Sequence, residues 1–264
     1  MQGISTHNLL KMQFERLALS EDFRKILGDL PSVFMAGIIG ESGHGKTEWC
    51  QQFATELARF GPVDWLAYET GFAADIQDAV RRNNSEKQNY PITWVNPWKK
   101  IQPCKKDFPL SKDKDVNLIF GDFVNRLAKH KSAKYVIVDS IDRTHFTVEQ
   151  MMWLYQRYAE KKGIIFIVHG ESQGKKPISA VGGKVLFYSN WSLRVHNYIA
   201  YPRKSRFSAT ECYVVWEQRA KELEPEFFGI VPTLKAKKTG KRKKRTAKRK
   251  STPTPKGANE NDSL

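Results

Sequence analysis

The sequence predicts an α/β fold: a mostly parallel central sheet flanked by helices, with late antiparallel strands at its edge. Three observations predict it. First, Gly40-Glu41-Ser42-Gly43-His44-Gly45-Lys46-Thr47 fits the phosphate-loop spacing G-x-x-x-x-G-K-[ST], with an apolar run before it (33–39) and a helical pattern after it (47–60). Second, three further apolar runs each end at an ionisable residue: 63–68 before Glu69, 135–138 before Asp139 and 163–168 before His169. Third, helical patterns separate these runs, as crossovers between parallel strands require.

Taken in order, residues 1–30 carry a mixed helical pattern through Leu9, Leu10, Phe14, Leu17, Phe23, Ile26 and Leu27, with Ser20 as a helix start. They read either as a covering helix or as a docking helix for a second subunit. In the phosphate loop, glycines let backbone N–H groups turn toward phosphate oxygens, and the helix that follows adds its positive end. Lys46 would reach the β- and γ-phosphates of ATP, Thr47 would ligate Mg²⁺, and Glu48 opens the helix behind them. Glu69, at a strand tip beside the loop, is placed to orient and deprotonate an attacking water. A helix is expected over 73–82 and a short strand over 92–95.

Residues 96–115 are rich in Lys and Pro and carry Trp98 and Phe108. This insertion reads as a solvated loop pinned by its aromatics, or as a surface for single-stranded nucleic acid. A helix follows over 116–129. The strand ending at Asp139 is expected beside the phosphate-loop strand, so that Asp139 completes the metal site with Thr47. Thr147 and Gln150 form a capping box at the head of a helix over 147–162. His169 would sense the γ-phosphate. The Gly-, Ser- and Lys-rich stretch 171–183 reads as a mobile loop offering Lys175 and Lys176 to nucleic acid. Two late strands, 191–198 and 211–217, are expected to pair antiparallel, with a basic turn at 203–207 between them.

The chain has 264 residues, 40% of them apolar, which is enough for one large domain with a core. No apolar run reaches the roughly 18 residues of a membrane span, and no signal-peptide pattern opens the chain. Three scattered cysteines make neither a disulfide framework nor a C-x-x-C pair, so they read as reduced thiols. The net charge is +16; residues 235–264 contain 12 Lys/Arg and 2 Asp/Glu, a net of +10, which leaves +6 for the rest. A polyanionic partner is expected, nucleic acid first. The expected organisation is an N-terminal helical segment (1–30), a core (31–232) and a disordered basic tail (233–264).

Taken together, GESGHGKT at 40–47, YETG at 68–71, VIVDSID at 136–142, IIFIVHG at 164–170, GGK at 182–184 and RKSRF at 203–207 resemble the RecA-like P-loop ATPases. The similarity is greatest to the RadA/Sms branch, with the DnaB-type helicase core nearby. It spans about residues 32–218. Ser205 stands where the family has asparagine, and neither the four-cysteine module nor the Lon-like domain of RadA proteins is present in this sequence. The resemblance implies a RecA-like P-loop NTPase fold, ATP and Mg²⁺ as cofactors, Glu69 as the catalytic carboxylate, and Asp139 as the acid at the metal. It also implies that Lys204 and Arg206 act in trans on a neighbour's ATP. The expected function is an ATP-hydrolysing DNA motor in a ring or filament, single strands favoured over duplex, with no membrane. The alternatives are a viral or mobile-element packaging motor, and a non-hydrolysing nucleotide-gated DNA adaptor. The expected compartment is the cytoplasm of a bacterial or phage-infected cell, or the nucleus if the source is eukaryotic.

Overall fold

The computed structural model describes residues 3–83, 91–129, 131–207, 209 and 211–230. The basic tail expected over 233–264 lies outside the described residues. Short helices α1 (Thr6–Lys11) and α2 (Glu21–Leu27) come first. Then follow β1 (Phe34–Gly40), α3 (Lys46–Leu57), β2 (Val63–Ala67), α4 (Ala74–Arg82), β3 (Ile92–Val95), α5 (Lys114–Ala128), β4 (Tyr135–Asp139) and α6 (Val148–Tyr158). The chain continues with β5 (Gly163–Glu171), β6 (Lys176–Pro177), α7 (Ala180–Tyr188), β7 (Trp191–His196), β8 (Ile199–Lys204), β9 (Tyr213–Val214) and α8 (Glu217–Leu223).

The strand order is β3-β2-β4-β5-β1-β7-β8-β9, with β6 attached to β5. All pairings from β3 through β7 are parallel, and β8 and β9 add antiparallel to that edge. This is the RecA-like P-loop architecture the sequence predicts. Helices cover both faces. On one, Phe23 of α2 and Trp49 and Phe53 of α3 pack over Phe34, Trp65 and Trp191 of the sheet. On the other, Phe120 and Phe123 of α5 and Leu154 of α6 pack over Val138 and Phe166. The capping box at Thr147 and Gln150 forms as expected.

Three expectations are corrected. β4 does not lie beside β1, because β5 separates them. Its six residues from Gly163 to Val168 are buried; all pair with β1, and Gly163 to Phe166 pair with β4 as well. Gly163 makes the arrangement fit: a Cβ there would lie 2.5 Å from the Tyr135 ring of β4 and 3.1 Å from the Phe34 ring of β1. Those two rings meet at 6.3 Å, close to parallel, across the start of β5.

The second correction concerns 171–183, which is not one continuous loop. β5 runs on to Glu171 and β6 folds back on it. Ser179 then caps α7, its hydroxyl accepting the N–H of Gly182 at 2.9 Å. The third concerns the late strands. β7 turns at Asn197 and Tyr198, both with positive φ, and pairs with β8 rather than with the stretch from 211. Arg203 and Lys204 are therefore strand residues. Pro202 concealed this strand, and the irregular register around Ser192 and Leu193 accommodates it at the edge. Beyond β9, Glu217 opens a helix instead of continuing a strand.

Candidate functional site

The site lies at the C-terminal ends of the parallel strands, as ligand sites in open α/β sheets do. β1 ends at Gly40, where a Cβ would come within 2.3 Å of the Val195 carbonyl oxygen. Gly43 and Gly45 hold φ of 78° and 96°, values that let the loop 41–45 curl with its amides inward. Lys46 is the first residue of α3 and only 6% exposed. Its Nζ donates to the Glu41 carbonyl oxygen at 2.8 Å, so the amine folds back over its own loop. Burial pulls the Lys46 ammonium below the usual lysine range, while Glu69 and Asp139 pull the other way.

Two acids face that amine from strands further along the sheet. Asp139 closes β4 and is 4% exposed. Glu69 follows β2, and its backbone N–H donates to the Asp139 carbonyl oxygen at 2.8 Å, which ties the two strand ends together. The Glu69 carboxylate accepts from Nε2 of His169 at 2.8 Å. That hydrogen bond holds Glu69 below the usual carboxylate range, against the opposite effect of burial. Ser42, Lys46, Thr47, Glu69, Asp139 and His169 line a cleft of about 340 Å³. The structure thus brings together the predicted loop, both predicted acids and the predicted histidine.

Glu41 and Glu48, also expected at the nucleotide, make contacts within the fold, and Glu48 lines the cleft. The Glu41 carboxylate accepts the backbone N–H of Gln173 at 2.9 Å, pinning the β5–β6 turn to the phosphate loop. Glu48 receives Arg82 at 2.7 Å and Asn83 at 2.9 Å, joining α3 to the end of α4.

Sequence reasoning missed the rest of the lining, where Ile76, Ala79, Arg82, Tyr198 and Trp216 form an apolar and aromatic wall. The Arg82 guanidinium lies 5.4 Å from the centre of the Trp216 ring, which meets Tyr198 edge-on at 5.6 Å. Tyr198 reaches the loop because its N–H donates to the His44 carbonyl oxygen at 3.1 Å. Nothing in the spacing of Arg82, Tyr198 and Trp216 announces this convergence; it follows from the β7–β8 turn. A second missed set backs His169. Its N–H donates to Asp142 at 2.7 Å, and Asp142 also accepts from the Ser179 hydroxyl. The site is in this way linked to the head of α7.

Glu41, His44 and His196 place potential ligand atoms within 4.8 Å of one another. Their geometry favours a latch over a metal centre. The imidazoles of His44 and His196 stack at 4.9 Å and 15°, so their nitrogens lie side by side rather than converging. The backbone N–H of Asn197 donates to Nδ1 of His44 at 3.1 Å, and a metal on Nε2 would need that nitrogen to carry a proton.

Lys204 and Arg206 are not brought to this cleft. β8 starts at the hairpin tip beside the loop and runs away from it, pairing Lys204 with Ser192 at the other end of β7. Nζ of Lys204 donates to the Phe187 carbonyl oxygen at 2.7 Å, and Arg206 is exposed. In the insertion, Trp98 and Phe108 are pins: Trp98 donates to the Tyr68 carbonyl oxygen at 3.0 Å, and Phe108 meets Phe120 edge-on at 5.1 Å. Lys175 and Lys176 are exposed on the β5–β6 turn.

No family profile matches the chain, and no curated protein sequence does. Solved structures do match. The flagellar accessory protein FlaH from Methanocaldococcus jannaschii is 16% identical, over 76% of this chain and 92% of that one, with a TM-score of 0.49. A KaiC-like protein from the hyperthermophilic archaeon Pyrococcus horikoshii OT3 is 18% identical, over 76% and 93%, with a TM-score of 0.49. The RadB recombinase is 17% identical, over 72% and 90%, with a TM-score of 0.46. The architecture rests on the strand order and the phosphate loop, not on these likenesses. Among the described residues, no helix is long and apolar enough to cross a membrane.

The residues present fit a metal–triphosphate. A loop turned by positive-φ glycines at 43 and 45, a buried lysine amine, a hydroxyl at Thr47 and the carboxylates of Glu69 and Asp139 in one lining supply the donors and charges such a ligand needs.

Proposed function

We propose that this chain is an ATP hydrolase that works on DNA as a ring or filament. The observation that carries the reading is the meeting of Lys46, Thr47, Glu69, Asp139 and His169 in a single cleft whose lining also includes Tyr198 and Trp216. The charged residues suit phosphates, and the wall of Arg82, Tyr198 and Trp216 suits a planar base. Lys46 would exchange the Glu41 carbonyl for phosphate oxygens. Thr47 and Asp139 would hold Mg²⁺, which supplies charge neutralisation at the transferring phosphoryl group. Glu69, kept ionised by His169, would orient the attacking water and accept its proton.

Lys204 and Arg206 point away from their own cleft, and we assign them to a neighbour's. Lys204 must then give up the Phe187 carbonyl when subunits meet. α1 supports assembly as well. It buries none of its own residues, and Leu9, Leu10 and Phe14 stand exposed around it. The +16 charge supports a polyanionic partner.

The decisive experiment is ATP turnover without nucleic acid, with single strands and with duplex, for wild type, Lys46→Ala and Glu69→Gln, alongside mass by light scattering. The reading requires DNA-stimulated turnover that both substitutions remove. ATP and DNA binding with wild-type turnover no greater than that of Glu69→Gln would instead identify a nucleotide-gated adaptor.

A further inference from the structure

Far along the sheet from the phosphate loop, β3 is an edge strand: it pairs with β2 on one side and with no described strand on the other. Between this edge and α5 runs a groove of about 360 Å³. Its lining includes Lys99, Lys100 and Lys129, all exposed. None of the three forms an ion pair among the described residues. Asp64 holds Arg126 at 3.0 Å, and the two charges offset each other. Asp122 accepts the backbone N–H of Gln102 at 3.0 Å and keeps its own charge. The groove therefore presents net positive charge, three lysines against one carboxylate. At its rim stands Phe72, 63% exposed, on the turn that follows Gly71.

From this we infer that the β3–α5 groove binds a single strand of nucleic acid, its phosphates on the three lysines and one base on the Phe72 ring. The inference rests on the DNA-binding part of the proposed function and gives it a place. Cations along a groove neutralise a phosphate backbone, and an exposed ring beside them stacks an unpaired base. An acidic protein partner would ask for a wider apolar anchor than one phenyl ring. A duplex keeps its base faces stacked inside, so it gains nothing from Phe72. The aromatics of the insertion that the sequence offers for this task, Trp98 and Phe108, do not line this groove. Of the two rings that do, Trp94 packs against Trp65 with centres 5.0 Å apart, and Phe72 is the exposed one.

The test uses the full chain and a labelled oligothymidine, with binding followed by fluorescence anisotropy across a salt series. For Lys99→Ser/Lys100→Ser/Lys129→Ser, the slope of log affinity against log salt should shrink by about 2, at roughly 0.7 per cation removed from a single-strand contact. A matching triple replacement by arginine should keep the slope. Phe72→Ala should weaken binding about ten-fold at fixed salt, within the range for one stacked base, and leave the slope alone. If wild type binds but the serine variant keeps the wild-type slope, or Phe72→Ala binds as wild type does, the groove assignment is overturned while DNA binding stands. If duplex loses as much affinity as the single strand on Phe72→Ala, the single-strand assignment is overturned. If wild type does not bind at all, the DNA reading falls and this inference with it.

Discussion

Residues 40–47 and 170–183 are both rich in glycine, and the fold uses two pairs of those glycines, Gly43 with Gly45 and Gly182 with Gly183, in different ways. In the first, the glycines serve backbone shape: Gly43 and Gly45 take up positive φ so that the loop can turn its amides inward. In the second, Gly182 and Gly183 lie inside α7, and at Gly182 the missing side chain lets the helix approach the sheet. A Cβ at Gly182 would lie 2.7 Å from a Val168 methyl, whereas at Gly183 its nearest neighbour is Pro177 at 3.6 Å. Composition alone does not separate a cradle from a packed helix. The neighbour that each glycine meets does. The two segments also touch, through Glu41 and Gln173, so one braces the other.

The largest effect that sharpens this contrast belongs to the cradle. Lys46→Ala should lower ATP turnover about a thousand-fold or more, measured by phosphate release, as loss of a charge aimed at the transferring phosphate does. Its melting temperature should stay near wild type, because the amine's one protein hydrogen bond is to its own loop. A large drop in stability would mean that Lys46 is structural.

Next comes the helix. Gly182→Ala should destabilise by about 1–3 kcal/mol in urea unfolding, since Val168 is buried and must shift. If it melts like wild type, α7 does not seat on β5 as described.

A third test touches the link between the segments. His169→Leu removes the hydrogen bond that keeps the Glu69 pKa low, so that pKa should rise. The acidic limb of the pH–rate profile should then move upward. The sign for stability agrees. A depressed carboxylate stabilises the fold above its unfolded value, and that contribution is lost as pH falls through the folded one. The variant should therefore lose less stability on acidification than wild type. An acidic limb that stays in place would show that Glu69 is not the group being read.

The smallest effect is a gain. Gly183→Ala should stabilise by about 0.5–1 kcal/mol, the ordinary helix-propensity difference, because nothing stands in its way. A loss instead would mean that Gly183, like Gly182, is a point of close approach.

Much of this was legible in the sequence. The phosphate loop, the strand ending at Asp139, the strands on which Glu69 follows and His169 sits, and the capping box at Thr147 are local patterns, and local patterns survive folding. Strand order was not legible, because β1, β4 and β5 are equally apolar and only the rings around Gly163 reveal which lies in the middle. α7 was hidden by its two glycines, and β8 by Pro202. The aromatic wall is assembled from α4, a hairpin tip and the stretch after β9, so no window of sequence contains it.

The position of β5 sets a dimension. Two strand spacings, each about 4.8 Å, put the backbone that carries Asp139 nearly 10 Å from the one that enters the loop. The intervening strand fixes that span, and it brings His169 into register with Gly40, the residue on which the loop begins.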